Sequence, residues 1–294
     1  MMGFWINILE QGLIFGIMGL GVYITYSILD FPDLSVDGSF PLGAAVTASA
    51  LTSGINPFLA MILSFLAGML SGGITGFLHV KYKITNLLSG ILVMIGLYSI
   101  NLRIAGKANV PLFNENTLFI SNLKPLYIIF IITIIMKLGL DLFFKTKFGF
   151  LVKATGDNPK LVTSLGIHIG TTKVVALMIS GGLVSLSGSI MAQYQGFSDV
   201  GMGTGIIVMG LASIILGKTI FKKASFILST TVVLIGSILY KASIAFALKL
   251  GLPPTDLKLI TSVIVIITLA INNSHFSFKG KKAFNFGGET GVTN

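Results

Sequence analysis

The chain of 294 residues has no cysteine, one tryptophan, three histidines and a single arginine, Arg103, and charged side chains make up only 10% of it. Without thiols it can form no disulfide, no thiolate nucleophile and no thiolate metal site. His79, His168 and His275 are far apart, in no HExxH pairing and with no paired carboxylate, so they outline no metal or catalytic constellation. A soluble domain carries about 25% charged residues, and a chain with 10% cannot cover its surface toward water. A soluble globular enzyme is thereby excluded. Also missing are a GxSxG elbow, an EF-hand pattern and a GxxxxGK[ST] phosphate loop. The chain cannot bind ATP through a P-loop of its own, so nucleotide-driven work would fall to a separate subunit, and no cofactor is expected here.

Apolar runs are abundant. A hydrocarbon core about 30 Å thick takes about 20 helical residues to cross, and runs approaching or exceeding that length span Gly12 to Leu29, Pro57 to Leu78, Leu87 to Leu102, Leu126 to Phe144, Val174 to Ala192, Gly203 to Leu216, Ala224 to Leu248 and Leu259 to Ile271. A ninth, Pro41 to Ser53, is too short for a comfortable span. In lipid every backbone polar group must be satisfied within the protein, which leaves helices or a closed barrel, and runs this long exclude the barrel. The fold expected is an all-α polytopic membrane protein of about eight or nine transmembrane helices, with one broken or half helix near residues 30–53 and a short cytoplasmic helix. The transmembrane domain covers residues 1–275, and residues 276–294 form a polar, basic, flexible cytoplasmic tail. The apolar start lacks a basic n-region and a cleavage site, and reads as a mature span rather than a signal peptide.

The formal net charge of +10 could suggest nucleic-acid binding, but nineteen of the twenty basic residues are lysines and they gather on no aromatic-studded face. Their spacing fits membrane topology instead. Lys81 and Lys83; Lys145, Lys147, Lys153, Lys160 and Lys173; Lys218, Lys222 and Lys223; and Lys279, Lys281 and Lys282 form four groups separated by one pair of spans each, the parity required if all face the cytoplasm. Within the spans, Lys137 precedes Asp141 by four residues, which puts the two on one helix face where they neutralise each other. The first 80 residues carry no base and leave the side of the N-terminus open.

Three segments interrupt the apolar pattern. Asp30-Phe-Pro-Asp-Leu-Ser-Val-Asp-Gly-Ser-Phe-Pro41 contains two prolines, a glycine and three carboxylates between apolar runs, so an unwound backbone is expected there. It is either a polar loop or a broken helix beside a transport pathway, since acidic groups at bilayer depth cost about 2.5–3.5 kcal/mol unless they face water or a partner. Lys145 to Lys173 is the longest hydrophilic stretch between spans; Asp157 or Asn158 as N-cap, Pro159 in the first turn and Gly166 as stop define a cytoplasmic helix of about two turns. So short a helix is marginal in water and must dock, either on its own bundle or on a cytoplasmic partner. Gln193 to Gly205 lies on the external side, and its glycines at 201, 203 and 205 fit no dinucleotide fingerprint. Glycines here, like the pairs Gly12 with Gly16, Gly68 with Gly72 and Gly72 with Gly76, serve close helix approach. Asp33, Asp37 and Gly38 in the first segment, and Gln193, Tyr194 and Asp199 in the third, are the candidate pathway-lining residues.

Three stretches carry a resemblance: Gly12 to Thr47 with its insert Asp33-Leu-Ser-Val-Asp-Gly38, the loop Lys153-Ala-Thr-Gly-Asp-Asn-Pro-Lys-Leu-Val-Thr-Ser-Leu-Gly-Ile167, and Ser180 to Gly196. In order, they resemble the membrane permeases of bacterial ABC importers, in the branch of branched-chain amino-acid and ribose permeases, and most closely permeases associated with tryptophan or tyrosine uptake. The resemblance covers about residues 10 to 272. It implies a cytoplasmic-membrane protein in which two permease copies, identical or paralogous, form the pore, two ATPase subunits carrying ATP and Mg²⁺ dock below, and an external lipoprotein delivers the solute. Asn158 to Gly166 would be the coupling helix in an ATPase groove, with Gly156, Asp157, Asn158, Pro159, Leu165 and Gly166 as its contact residues. The loop has Lys153-Ala-Thr where the broader importer group has Glu-Ala-Ala. The rival expectation is a self-sufficient secondary transporter using Asp30, Asp33 and Asp37 for ion coupling, which requires paired broken helices; the sequence shows one break.

Overall fold

The computed structural model describes residues 2–120, 123–221, 228–251, 253, 256, 259 and 261–267. The expected tail from 276 to 294 lies outside these residues, as do parts of the last two expected spans. Among the described residues ten α-helices are defined: α1 (Met2–Val22), α2 (Val36–Thr52), α3 (Pro57–Tyr82), α4 (Asn86–Ala105), α5 (Pro125–Lys145), α6 (Lys147–Asp157), α7 (Pro159–Ser164), α8 (Ile169–Gln195), α9 (Ile206–Ile220) and α10 (Ser229–Lys249). Two three-residue strands, β1 (Asn109–Pro111) and β2 (Phe197–Asp199), pair antiparallel with Val110 opposite Ser198. Among the described residues seven helical segments are long and apolar enough to cross a membrane.

α1 and α8 form the buried axis of the bundle, while α3, α4, α5 and α10 turn Leu, Ile and Phe side chains outward. Because lipid tails are as apolar as leucine, burial does not drive helices together here, and close backbone contact and hydrogen bonds take over. On α3, Gly68 and Gly72 lie directly on the carbonyls of Gly181 and Leu177 of α8, where a Cβ would overlap. Gly43 of α2 does the same on Ser185, and Gly188 of α8 on Phe40. Buried hydroxyls stitch these contacts: Ser185 Oγ donates to the carbonyl of Ser64 at 2.7 Å, Thr47 Oγ1 to Ser189 Oγ at 2.6 Å, and Ser187 Oγ to the carbonyl of Ile14 at 2.7 Å. Gly12 and Gly16 of α1 meet Ile238, Leu234 and Ser237 of α10 in the same way.

The intramembrane pair Lys137–Asp141 closes at 2.8 Å, and Thr230 Oγ1 donates to the second Asp141 oxygen at 2.6 Å, tying α5 to α10. Lys241, the other base inside an expected span, lies 3.8 Å from the centre of the Phe15 ring and 3.4 Å from Gln11 Oε1.

The two ends of the bundle are distinct. At one, Lys173 of α8 lies 3.2 Å from His79 of α3, Lys218 of α9 donates to Ser27 at 3.0 Å, and α6 packs on the end of α1. This is the lysine-rich, cytoplasmic end. At the other, Asn7 of α1 donates to Tyr194 at the end of α8, and Phe4 packs on Phe246 near the end of α10. The side of the N-terminus, open from sequence, is therefore the external one, where β1 and β2 also lie.

Residues 30 to 41 are less unwound than expected. A π-helical turn, Tyr23–Ile28, ends α1; a short irregular stretch follows, with Asp30 in the left-handed region at φ +50°, and α2 begins already at Val36. Pro41 sits inside α2. Its ring would crowd the carbonyl four residues back, that of Asp37, and leaves that oxygen without an N–H. Gly203, having no side chain, fits against both the Asp37 carbonyl and the Pro41 ring.

Candidate functional site

The loop between α5 and α8 builds a two-helix unit, of which only the second helix was expected. Thr146 starts α6 by accepting from Gly149 N at 3.1 Å, and α6 buries Val152 and Thr155 while Phe150 stays exposed. Gly156 abuts the carbonyl of Ile28, at the end of the π-helical turn, so closely that no Cβ fits. Asn158 then caps α7, its Oδ1 accepting from Leu161 N at 3.1 Å, with Pro159 at the first position. Gly166 ends the unit at φ +74°. Val162 anchors α7 inward, whereas Leu161 and Leu165 are 54% and 67% exposed beside Asp157 and Lys160. Leu161 and Leu165 thus present apolar side chains outward beyond the lysine-rich end of the bundle.

A half-open cavity of about 460 Å³ lies between the start of α2, the outer half of α4 and the turn before α9. Asp37 and Gly38 form one wall, Met94, Tyr98 and Asn101 another, and Val200 to Thr204 the third. Asp37 is fixed rather than free: its two carboxylate oxygens accept from Ile207 N at 2.8 Å and Gly205 N at 2.9 Å, so it caps the start of α9 from another helix. An anion at a helix N-terminus satisfies donors that have no intrahelical partner and complements the dipole. The cap therefore holds the start of α9 against α2.

Of the other expected lining residues, Gly38 is at the cavity, packed on Leu97 and Met94 of α4. Asp33 is 2% exposed and turned into the α1–α2 break, where it accepts from Ser35 N at 2.9 Å. Gln193 is buried, its Oε1 accepting from Leu118 N at 3.1 Å. Tyr194 donates to Glu10 at 2.8 Å on the α1 side. Asp199, on β2, accepts from Gly201 N and Asn109. These four do not line the cavity. Tyr98 and Asn101 do, and sequence inspection passed over both. Asn101 carried a usable signal, being an amide near the end of an apolar span, where polar groups mark function by default.

A glycine-packed bundle of membrane-length helices, with a largely apolar cavity that carries a few polar groups and a helix pair beyond its lysine-rich end, defines a polytopic membrane protein. Residues 4–270 match the family described as branched-chain amino acid transport system / permease component, and the chain belongs to that family. It is 52% identical to a tyrosine transport system permease protein of Clostridioides difficile, over 95% of this chain and 94% of that one. It is 36% identical to an uncharacterised protein of Rickettsia prowazekii, over 92% and 98%, and 26% identical to the ribose import permease of Escherichia coli strain K12, over 72% and 68%. No solved structure matches. The protein is thus the multi-pass membrane permease subunit of an ABC importer.

Proposed function

We propose that this permease carries an amino acid with an aromatic or apolar side chain, and that α7 is the helix through which a separate ATPase drives it. The single observation that carries the coupling role is the contact of Gly156 with the Ile28 carbonyl. It joins the exposed cytoplasmic unit to the end of α1, from which the chain passes through the break at 29–35 into α2 and so to the cavity wall at Asp37. A displacement of α7 by ATP-driven closure of partner subunits then has a packed route to the pathway, on which the pore alternates between outward-open and inward-open states. Asp157, Asn158, Pro159, Leu165 and Gly166 shape and present the docking surface. A second copy of the chain, or a paralogue, supplies the facing half of the pore, and an external binding protein delivers the solute to the end bearing β1 and β2.

The choice of an amino acid rests on the 52% identity to a permease named for tyrosine transport, and the largely apolar cavity lining agrees with it. Ion-coupled transport by Asp30, Asp33 and Asp37 is disfavoured by their placement, because of the three only Asp37 lines the cavity, while Asp33 is turned into the α1–α2 break onto Ser35 N. The test is reconstitution with the cognate ATPase and binding protein in proteoliposomes. ATP-dependent uptake of L-tyrosine or L-leucine is expected; uptake driven by an ion gradient without ATP, or ATP-dependent uptake of ribose alone, would overturn the proposal.

A further inference from the structure

The cavity beside Asp37 holds two unspent acceptors. Each Asp37 oxygen receives one backbone N–H, whereas a carboxylate offers about four lone-pair sites. Among the described residues no basic side chain forms an ion pair with it. On the facing wall Asn101 is completely buried, and its Nδ2 donates to the carbonyl of Gly38 at 3.1 Å. That carbonyl can only accept, which sets the orientation of the amide and leaves Oδ1 as the second polar atom. Among the described residues Asn101 Oδ1 has no hydrogen-bond partner. An acceptor buried without a donor is costly and needs a reason.

An anion without a counter-cation and an amide oxygen without a donor, in one cavity, call for a positively charged group with several N–H donors. A metal cation is a poor fit, since Ca²⁺ takes about six to eight oxygen ligands and Mg²⁺ demands an octahedral set, and no cluster of three acidic, His or Cys side chains occurs among the described residues. A primary ammonium has three donors and no acceptor. Met94, Ile95, Pro41 and the Tyr98 ring supply an apolar wall beside these acceptors. We propose that Asp37 and Asn101 Oδ1 hold the ammonium group of the solute in transit while its side chain lies along α4. The inference rests on the reading that this cavity belongs to the transport pathway, and it makes the permease itself selective for an amine-bearing solute.

Because the chain has no cysteine, Ser99→Cys at the cavity is the only thiol of the permease, and its labelling in the assembled permease–ATPase complex is read on the permease band after the subunits are separated by electrophoresis. The complex is placed in nanodiscs without binding protein, and modification by a membrane-impermeant thiol reagent is timed with three probes. L-Tyrosine and tyramine, which carry the ammonium, should protect the thiol; 3-(4-hydroxyphenyl)propionate, which lacks it, should not. Adding Asn101→Leu should weaken protection by tyramine at least about tenfold, the scale expected for loss of a charge-assisted hydrogen bond. Equal protection by the propionate, protection by no probe, or protection unchanged by Asn101→Leu would overturn the ammonium site while leaving a modifiable, pathway-facing thiol. A thiol unreactive with and without nucleotide would overturn the pathway reading as well. The probe comparison needs no change at Asn101, so it stands even if that variant fails to assemble.

Discussion

Replacing Gly156 by alanine adds one methyl group at the contact between the cytoplasmic unit and α1. The added carbon would overlap the Ile28 carbonyl and crowd the Leu29 Cα at 3.2 Å. The obstacle is backbone at the end of a π-helical turn, which cannot rotate aside as a side chain would. Overpacking of this kind costs about 1–3 kcal/mol, and α6 can escape it only by moving off the end of α1. About 1.4 kcal/mol is a factor of ten in an equilibrium, so coupling through this contact should fall about tenfold or more while the bundle remains folded. The assay compares ATP hydrolysis with ATP-driven L-tyrosine uptake in proteoliposomes, at equal incorporation of complex. Uptake per ATP hydrolysed should fall in Gly156→Ala. Two controls bracket the effect: Gly139→Ala, where the new carbon meets nothing within 4 Å, should leave coupling unchanged, and Gly166→Ala, with open space but φ +74°, should cost only about 1–2 kcal/mol of local strain. Unaltered coupling in Gly156→Ala would refute the route, and so would a loss of uptake explained wholly by lower abundance of the complex.

Leu161→Glu with Leu165→Glu should abolish co-purification with the ATPase while leaving the melting temperature of the permease nearly unchanged, because both side chains are exposed; retained co-purification would remove α7 from the interface. Asp37→Leu strips the cap from Gly205 and Ile207, at about 1–3 kcal/mol for each unsatisfied donor, so uptake and thermal stability should both fall; an unaltered melting curve would show that α9 needs no such cap. Lys137→Met leaves Asp141 without its ion-pair partner inside the bilayer, with a loss of about 3–5 kcal/mol visible as a lower melting temperature in detergent. The double change Lys137→Met with Asp141→Leu should recover most of it, and failure to recover would contradict mutual neutralisation as the role of the pair.

Helical content, sidedness and the means of packing were legible in the chain because each depends on local spacing. Spans are read by length, the cytoplasmic end by the parity of lysine groups, and the glycine pairs of α1 and α3 by their four-residue interval, which puts small residues on one helix face. The cap on α7 was equally local, since Asn158 and Pro159 act within one turn. The α6 helix was missed because Lys147 to Asp157 reads as a polar connection, and its helical state depends on burying Val152 and Thr155 against the bundle. Pro41 reads as a breaker in sequence because nothing nearby announces that Gly203 makes room for the Asp37 carbonyl and the Pro41 ring.

The chain by itself determined the solvent, the membrane orientation of its lysine-rich loops, the glycine-mediated mode of packing and the exposed cytoplasmic helix. Only the tertiary structure decided which polar residues share the cavity. Asp37 reaches Gly205 across 168 positions and Asn101 reaches Gly38 across 63, whereas Gln193 and Tyr194, adjacent on α8, turn to Leu118 and Glu10. The physical reason is that a polar side chain in lipid must find a partner, and in a helix bundle that partner comes from another helix whose place no local pattern encodes.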